Sequence, residues 1–209
     1  MLLSKLHHYL TSLPDPQTIP ADRKPALDAL ATYIWEKQNA GLPVKLIFIC
    51  THNSRRSHFG QVWAQIAAQY FGIESVDCFS GGTETTACNP RTVEALERAG
   101  VEAQAITGGE NPVYLLRYAD GVNPIAAFSK VFDQAPNPLE GFAAVMTCAQ
   151  AEANCPYVPG AEKRFSVMYD DPKAADDSPE ETAVYDARCR QIAVEMCYVF
   201  QKVRTRPVL

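Results

Sequence analysis

Residues 44–57 read VKLIFICTHNSRRS, and they predict a buried strand that runs through a short loop into a helix. The first six residues are almost all apolar, which is typical of a strand covered on both faces in a parallel sheet. Cys50 stands six residues before Arg56, and from Ser57 onward apolar residues recur at steps of three and four. A loop between strand and helix can turn its N–H groups inward around a tetrahedral oxyanion. The stretch therefore predicts chemistry on phosphate or on an anion of the same shape.

The composition is typical of a globular protein. The chain has 209 residues, of which 47% are hydrophobic and 21% charged, and one domain is expected for this length. The net charge of −5 argues against a general binder of nucleic acid or of anionic membranes. No stretch approaches the roughly 20 apolar residues of a membrane span, and the first residues lack a secretory signal pattern. We therefore expect a cytoplasmic protein that binds neither nucleic acid nor a membrane.

The seven cysteines indicate reactive or buried thiols rather than a disulfide framework. An odd number in a chain of this length is not typical of a secreted, disulfide-stabilised protein. The sequence contains no CxxC pair, and its four histidines do not stand at zinc spacings from the cysteines. We therefore predict no metal site.

Strand and helix patterns alternate from residue 44 onward. This alternation predicts an α/β fold in which a doubly wound parallel sheet carries helices on both faces. The last helix is expected to begin at Ser178–Glu181, which form a capping-box pattern. Four strands are predicted, at residues 44–50, 75–80, 142–148 and 164–169.

Two segments do not follow this alternation. Residues 1–43 carry apolar residues at helical spacing between prolines, and we interpret them as an N-terminal helical extension. Residues 44–209 are then the oxyanion-binding catalytic domain. Within it, four prolines interrupt residues 107–141, which we interpret as an inserted segment beside the site, folded as a hairpin or as short helices.

The ends of the predicted strands carry the polar and nucleophilic residues. In a doubly wound sheet the ligand lies in a crevice at the carboxyl ends of the strands. Cys50, Ser80, Cys148 and the Asp170-Asp171 pair all stand at such ends. We therefore expect one crevice to collect them.

The loop after Cys50 supplies the groups that an anion needs. A thiol is a strong nucleophile only as the thiolate, and both the helix start and the Arg56 guanidinium favour that negative charge. Arg56 can also hold two oxygens of the anion. Ser57 can donate to the thiolate, and Asn53 tolerates the positive φ of a tight turn. The residues expected to bind the oxyanion are Thr51, His52, Asn53, Ser54, Arg55, Arg56 and Ser57.

Three further residues are candidates for a catalytic role, and each has a second, structural interpretation. Cys148 and Cys155 stand seven residues apart. They are either a thiol relay that resolves an oxidised Cys50 or two unrelated cysteines, one buried and one in a loop. Asp171, which precedes Pro172, is either a general acid that protonates a leaving oxygen or the first residue of an Asx turn.

Four motifs follow one another in a set order. They are Cys50–Ser57, Ser80–Glu84 with Asn89-Pro90, Cys148 with Asn154-Cys155-Pro156, and Asp170-Asp171-Pro172. In order and spacing they resemble the low-molecular-weight protein tyrosine phosphatase superfamily, and more closely its thioredoxin-coupled arsenate reductase branch. The resemblance covers residues 44–106 and 142–203. It implies a phosphotyrosine protein phosphatase I-like sheet of strand order 2-1-3-4.

The resemblance to the reductase branch implies that arsenate is reduced through a disulfide relay. Cys50 attacks arsenate while Asp171 protonates the departing oxygen, and Arg56 binds the anion. Cys148 then attacks Cys50 and releases arsenite. Cys155 attacks Cys148 in turn, and the resulting disulfide passes to thioredoxin or to another external thiol. No bound cofactor is implied.

Two alternatives stand beside the reductase. A protein tyrosine or small-ester phosphatase would form a phosphocysteine at Cys50, although residues 173–177 lack the aromatic side chains that flank an aryl phosphate in this superfamily. A non-enzymatic redox or oxyanion sensor would use residues 1–43 to engage a partner. Two loop residues also depart from the superfamily pattern. His52 stands where glycine is usual, and Arg55 adds a charge that favours a larger or more anionic substrate.

Overall fold

The computed structural model describes residues 1–154 and 157–207. The helices are α1 (Ser4–Thr11), α2 (Lys24–Asn39), α3 (Arg56–Phe71), α4 (Pro90–Arg98), α5 (Ala149–Asn154) and α6 (Glu181–Thr205). The strands are β1 (Val44–Cys50), β2 (Val76–Gly82), β3 (Glu102–Ala105), β4 (Tyr114–Arg117), β5 (Ile125–Ala127), β6 (Phe142–Met146) and β7 (Ala161–Ser166). Short 3-10 turns lie at Pro16–Thr18 and Pro172–Ala175.

The main sheet is parallel and has the order β2-β1-β6-β7. This is the predicted order 2-1-3-4, and the predicted α/β class with a doubly wound sheet is confirmed. The fourth strand spans Ala161–Ser166 and not 164–169, because its pairing with β6 runs from Ala161 opposite Phe142 to Ser166 opposite Met146. Beyond Ser166 the regular strand ends, although the N–H groups of Val167 and Tyr169 still donate to Met146 O and Thr147 O, at 2.9 and 3.1 Å.

The two faces of β1 bury apolar side chains against different elements. Leu46 and Phe48 join a large core with α2, α3 and α6. Ile47 and Ile49 belong to a smaller cluster that includes Ala151 of α5. Successive side chains of a strand point to opposite faces, and all four are fully buried. The continuous apolar run thus reflects a strand that is covered on both sides.

The helix that follows β1 has the bounds that its apolar spacing indicates. α3 begins at Arg56, and it ends at Phe71. Gly72 is its C-cap with a φ of 66°, a left-handed conformation that glycine adopts at little cost. The loop that carries Cys50 is therefore held between a buried strand and the first turn of a long helix.

The start of α6 differs from the prediction. The helix begins at Glu181, and its N-cap, Glu180, makes no side-chain capping bond. The predicted capping box is wrong because Glu181 pairs with Arg91 at 2.7 Å and accepts a hydrogen bond from the N–H of Asp177 at 2.6 Å. No helix in the described part of the chain is both long and apolar enough to span a membrane.

Residues 1–43 form α1, α2 and the 3-10 turn between them. Leu6 of α1 and Leu27, Leu30 and Ile34 of α2 are fully buried. These side chains belong to the same hydrophobic core as β1, α3 and α6. The N-terminal extension therefore shares its core with the main sheet.

The inserted segment contains a hairpin, one of the two predicted forms. β4 and β5 pair with each other, and β3 completes an antiparallel sheet of order β3-β4-β5. Since β3 spans Glu102–Ala105, this small sheet also uses residues that precede 107. Beyond β5, Val131 forms a parallel bridge with Gly82 at the end of β2. This bridge brings the segment to the carboxyl edge of the main sheet.

Candidate active site

Cys50 ends β1 and lies at the base of the predicted oxyanion loop. The residue is 3% exposed, and its Sγ lies 3.1 Å from the Oγ of Ser57 in the first turn of α3. Asn53 Nδ2 donates to the same Ser57 oxygen at 2.9 Å. Ser57 can therefore accept from Asn53 while it donates its own proton to a Cys50 thiolate.

Asn53 supplies the turn of the loop. Its φ is 44°, in the left-handed region that asparagine tolerates better than most residues. Its Oδ1 accepts from the main-chain N–H of Lys130 at 3.0 Å. The loop residue with a positive φ is therefore Asn53, whereas His52, which stands where glycine is usual, has a negative φ. The His52 side chain is 42% exposed and has its Nε2 3.9 Å from Glu84 Oε1.

The end of β2 packs closely against the loop. A Cβ at Gly82 would lie 2.7 Å from Thr51 O and 2.8 Å from Asn53 N, so any larger residue would force the two segments apart. Thr51 O accepts from the N–H of Glu84 at 2.9 Å, and Cys50 O accepts from that of Thr83 at 3.2 Å. The loop is thereby fixed along the β2 edge by main-chain contacts.

Arg56 and Asp171 meet at the mouth of the loop. Arg56 Nη2 donates to Asp171 Oδ2 at 2.6 Å, and Arg56 Nη1 donates to Tyr169 O at 3.1 Å. Asp171 Oδ1 accepts from the N–H of Lys173 and caps the turn at Pro172–Ala175. The two interpretations of Asp171 are therefore compatible, since one oxygen makes the Asx turn while the other lies beside the guanidinium. A carboxyl group in this position can protonate an oxygen that leaves an anion held by Arg56.

The side chain of Arg55 is buried against α6 and the segment that precedes it. Its Nε donates to Tyr185 Oη at 2.6 Å and its Nη2 to Asp176 Oδ2 at 2.9 Å, and the residue is 9% exposed. Burial raises the pKa of Tyr185, whose hydroxyl donates to Asp176 at 2.7 Å. The charge of Arg55 is thus matched inside the protein. Arg55 Nε also lies 4.0 Å from Asp171 Oδ1, and the contribution of Arg55 to anion binding stays a prediction.

Cys148 lies beside the loop, just beyond β6. The residue is 2% exposed, and its Sγ is 3.4 Å from Thr51 Oγ1. The N–H of Ala151 donates to this sulfur at 3.3 Å, within an α5 helix that the sequence had not predicted. Cys155 lies outside the described residues.

The cysteines outside this site lack the features of a nucleophile. Cys78, Cys88 and Cys189 are buried, and Cys197 is half-buried. Burial raises the pKa of Cys88, Cys189 and Cys197 to about 12, so these side chains stay as thiols. Within residues 1–154 and 157–207, no group of three or more potential metal ligands comes together.

Several residues that hold the loop were not predicted. Ser129 Oγ donates to His52 O at 2.8 Å and accepts from the N–H of Thr86 at 2.9 Å. Ser129 and Lys130 carry no local signal, because each stands 77 positions from its partner in the loop. Only the folded chain brings these residues to the site.

The chain is similar in sequence to curated arsenate reductases, although no family model matches it. Arsenate reductase from Staphylococcus aureus (strain Newman) is 30% identical over 129 residues, which cover 61% of this chain and 77% of that protein. Arsenate reductase from Bacillus subtilis (strain 168) is 29% identical over 145 residues, which cover 69% of this chain and 86% of that protein.

Solved structures share the fold. A mutant of YwlE from Bacillus subtilis superposes with a TM-score of 0.53 at 14% identity, covering 78% of this chain and 99% of that chain. A YwlE arginine phosphatase superposes with a TM-score of 0.51 at 13% identity, covering 78% of this chain and 97% of that chain. The solved structures show the fold. The sequence identity to arsenate reductases shows that the chain belongs to the arsenate reductase branch of the low-molecular-weight protein tyrosine phosphatase superfamily, and the predicted resemblance is confirmed.

Proposed function

We propose that this protein reduces arsenate to arsenite, with Cys50 as the nucleophile and with Cys148 and Cys155 as a disulfide relay. The observation that carries the proposal is the second thiol at the loop, where Cys148 Sγ lies 3.4 Å from the hydroxyl of Thr51, the neighbour of Cys50. Hydrolysis of a phosphate ester has no use for a thiol in that position. Reduction needs one, because two electrons must pass from sulfur to arsenic.

The first step forms a bond between Cys50 and arsenic. The Cys50 thiolate attacks the As(V) centre, and one hydroxyl oxygen accepts a proton from Asp171 and leaves as water. Arg56 and the N–H groups of residues 51–56 hold the other oxygens and stabilise their charge. A bound anion competes with Asp171 for Arg56, which frees the carboxyl group for its role as acid.

The second step transfers the electrons. The Cys148 thiolate attacks Cys50 Sγ, and the electron pair of the sulfur–arsenic bond stays on arsenic, which leaves as As(III) in arsenite. Cys50 and Cys148 are thereby oxidised to a disulfide. Cys155 then attacks Cys148 Sγ, which releases the Cys50 thiolate and forms the Cys148–Cys155 disulfide. Thioredoxin, or another dithiol of a reducing cytoplasm, returns this pair to the thiol state.

The test couples arsenate to thioredoxin, thioredoxin reductase and NADPH, and follows the loss of NADPH absorbance. We expect turnover in the intact protein and in Cys197→Ser, a matched thiol variant away from the crevice. Cys50→Ser, Cys148→Ser and Cys155→Ser are each expected to abolish it. Arsenate turnover that persists in Cys148→Ser would remove the relay from the mechanism.

The second candidate is a phosphatase that acts on phosphotyrosine or on a small phosphate ester. It is favoured by the contact between Arg56 and Asp171, which completes the groups for ester hydrolysis without Cys148. Hydrolysis of para-nitrophenyl phosphate, measured in parallel, separates the two functions. Rapid hydrolysis that is unaffected by Cys148→Ser and Cys155→Ser, with no turnover of arsenate, would assign the site to this alternative.

A further inference from the structure

Arg23, which directly precedes α2, forms a partly buried ion pair with the catalytic domain. Its Nε and Nη2 donate to the two carboxylate oxygens of Glu195 at 2.5 and 2.8 Å. The Arg23 side chain is 21% exposed, and that of Glu195, on α6, is 2% exposed. The geometry is a bidentate fork, which fixes the direction of a guanidinium more strictly than a single contact does.

The same guanidinium reaches the segment that follows β7. Arg23 Nη1 donates to Met168 O at 2.9 Å, and its central carbon lies 5.0 Å from the centre of the Tyr169 ring. The Tyr169 hydroxyl donates to Glu195 at 2.7 Å. Arg23 and Glu195 therefore hold Met168 and Tyr169 through three kinds of contact: a main-chain hydrogen bond, a cation–π contact and a hydroxyl bond.

The opposite side of this segment holds Arg56. Tyr169 O accepts from Arg56 Nη1, and Asp171, two residues later, accepts from Arg56 Nη2. β7 ends at Ser166, so this stretch lies beyond the ladder that positions the strand. Two main-chain hydrogen bonds still tie it to the neighbouring edge, from Val167 N–H to Met146 O at 2.9 Å and from Tyr169 N–H to Thr147 O at 3.1 Å. The side-chain contacts that hold Met168 O and the Tyr169 ring in place come from Arg23 and Glu195.

We propose that Arg23 is a positioning residue for Arg56, so that the N-terminal extension orients the guanidinium that binds the oxyanion. Arg23 fixes Met168 and Tyr169, and Tyr169 O with Asp171 then fixes the direction of Arg56. The extension thus contributes to the site as well as to the core. The inference needs only that Arg56 binds an anion beside Cys50, and it holds for a reductase and for a phosphatase alike.

The test measures the surroundings of Cys50 without catalytic turnover. Cys50 is alkylated with anionic iodoacetate and with neutral iodoacetamide, and the two rates are compared by mass spectrometry of the Cys50 peptide. A correctly directed Arg56 favours the anionic reagent. The concentration of inorganic phosphate that halves the iodoacetamide rate gives the affinity of the loop for a tetrahedral anion.

Arg23→Met is compared with Lys37→Met. Lys37 is also a cation of the extension and pairs with Glu162 of β7 at 2.9 Å, but at the end of the strand far from Asp171. We expect Arg23→Met to lower the iodoacetate preference and the phosphate affinity by on the order of 10-fold, since misplacing a binding group by a fraction of an ångström has effects of this size. Lys37→Met is expected to leave both within about twofold, because it does not touch the segment that holds Arg56.

Two further variants separate a loss of positioning from a loss of stability. Arg23→Met with Glu195→Gln removes the unpaired buried carboxylate, and Arg23→Lys keeps the charge but loses the fork. The double variant is expected to regain thermal stability while both readouts stay low, and Arg23→Lys to be intermediate. Unchanged readouts in any folded Arg23 variant, or equal losses in Lys37→Met, would overturn the proposal. Absence of arsenate turnover would affect the proposed function alone.

Discussion

The inserted segment at 107–141 and the N-terminal extension at 1–43 both reach the oxyanion loop, but by different routes. The insertion touches the loop directly, through Ser129 on His52 O and through the Lys130 N–H on Asn53. The extension acts at one remove, through Arg23 and Tyr169 on Arg56. The first set of contacts determines the shape of the loop, and the second directs the charge at its mouth.

The two regions also differ in what stabilises them. The extension buries Leu27, Leu30 and Ile34 in the main core, so its contribution is mostly hydrophobic. Near the loop, the insertion contributes hydrogen bonds and one buried cation, Lys130, which is 3% exposed. Substitutions in the extension core should therefore change stability more than activity, and substitutions in or opposite the insertion should affect the loop first.

The largest effect is expected from Leu30→Ala. The side chain is fully buried, and a leucine-to-alanine change in a core costs about 2–5 kcal/mol in the free energy of unfolding. Urea denaturation measures the loss, and kcat at 20 °C in the folded fraction should match that of the intact protein. A fall in kcat with unchanged stability would instead make the core of the extension part of the site.

Asn53→Gly tests the direct contact of the insertion with the loop. Glycine keeps the positive φ, so the variant removes only the two hydrogen bonds of the Asn53 side chain, to Ser57 Oγ and from the N–H of Lys130. We expect kcat/KM to fall by about 100-fold, because a group that pre-organises an anion site contributes roughly this much. Asn53→Ala, which also strains the backbone, should be worse. Activity within twofold of the original would mean that the loop keeps its shape without the insertion.

Lys130→Met tests the buried cation. Burial lowers the pKa of Lys130 from 10.5 to about 8. The unfolded chain therefore binds more protons between pH 8 and 10.5, and stability due to this group rises with pH across that window. At pH 7 the intact protein carries the whole cost of the buried charge, so the variant should be more stable by on the order of 3 kcal/mol. Denaturation at pH 7 and pH 10 should show this gain shrinking, and a gain independent of pH would contradict the assignment.

The smallest effect is expected from Ser129→Ala. The change removes a donor to His52 O and leaves the N–H of Thr86 without its acceptor, at a cost of about 1 kcal/mol in stability. Activity should fall only a few-fold, since Asn53 still fixes the turn. A loss of kcat/KM larger than that of Asn53→Gly would mean that Ser129, and not Asn53, contributes more to the shape of the loop.

The elements that could be predicted are those with a local signal. The apolar run of β1, the spacing of α3 and the glycine that ends it depend on neighbouring residues, and their bounds were confirmed. β7 and the start of α6 were misplaced because distant partners set them, Met146 for the strand and Arg91 for the helix. The division at residue 43 and the catalytic roles of Cys50, Arg56, Asp171, Cys148 and Cys155 stay predictions.

The sequence by itself determined the class of fold, the loop from Cys50 to Ser57 and the kind of anion that such a loop binds. These follow from hydrophobic periodicity and from one short motif, in which every group lies within a few residues of the next. Only the tertiary structure decided that Arg55 pairs with Asp176 and that Ser129 and Lys130 hydrogen-bond to the loop. It also decided that Arg23 contacts the segment that accepts hydrogen bonds from Arg56. Those contacts join residues up to 145 positions apart, and no local pattern encodes them, because they form only when distant elements pack on the same sheet.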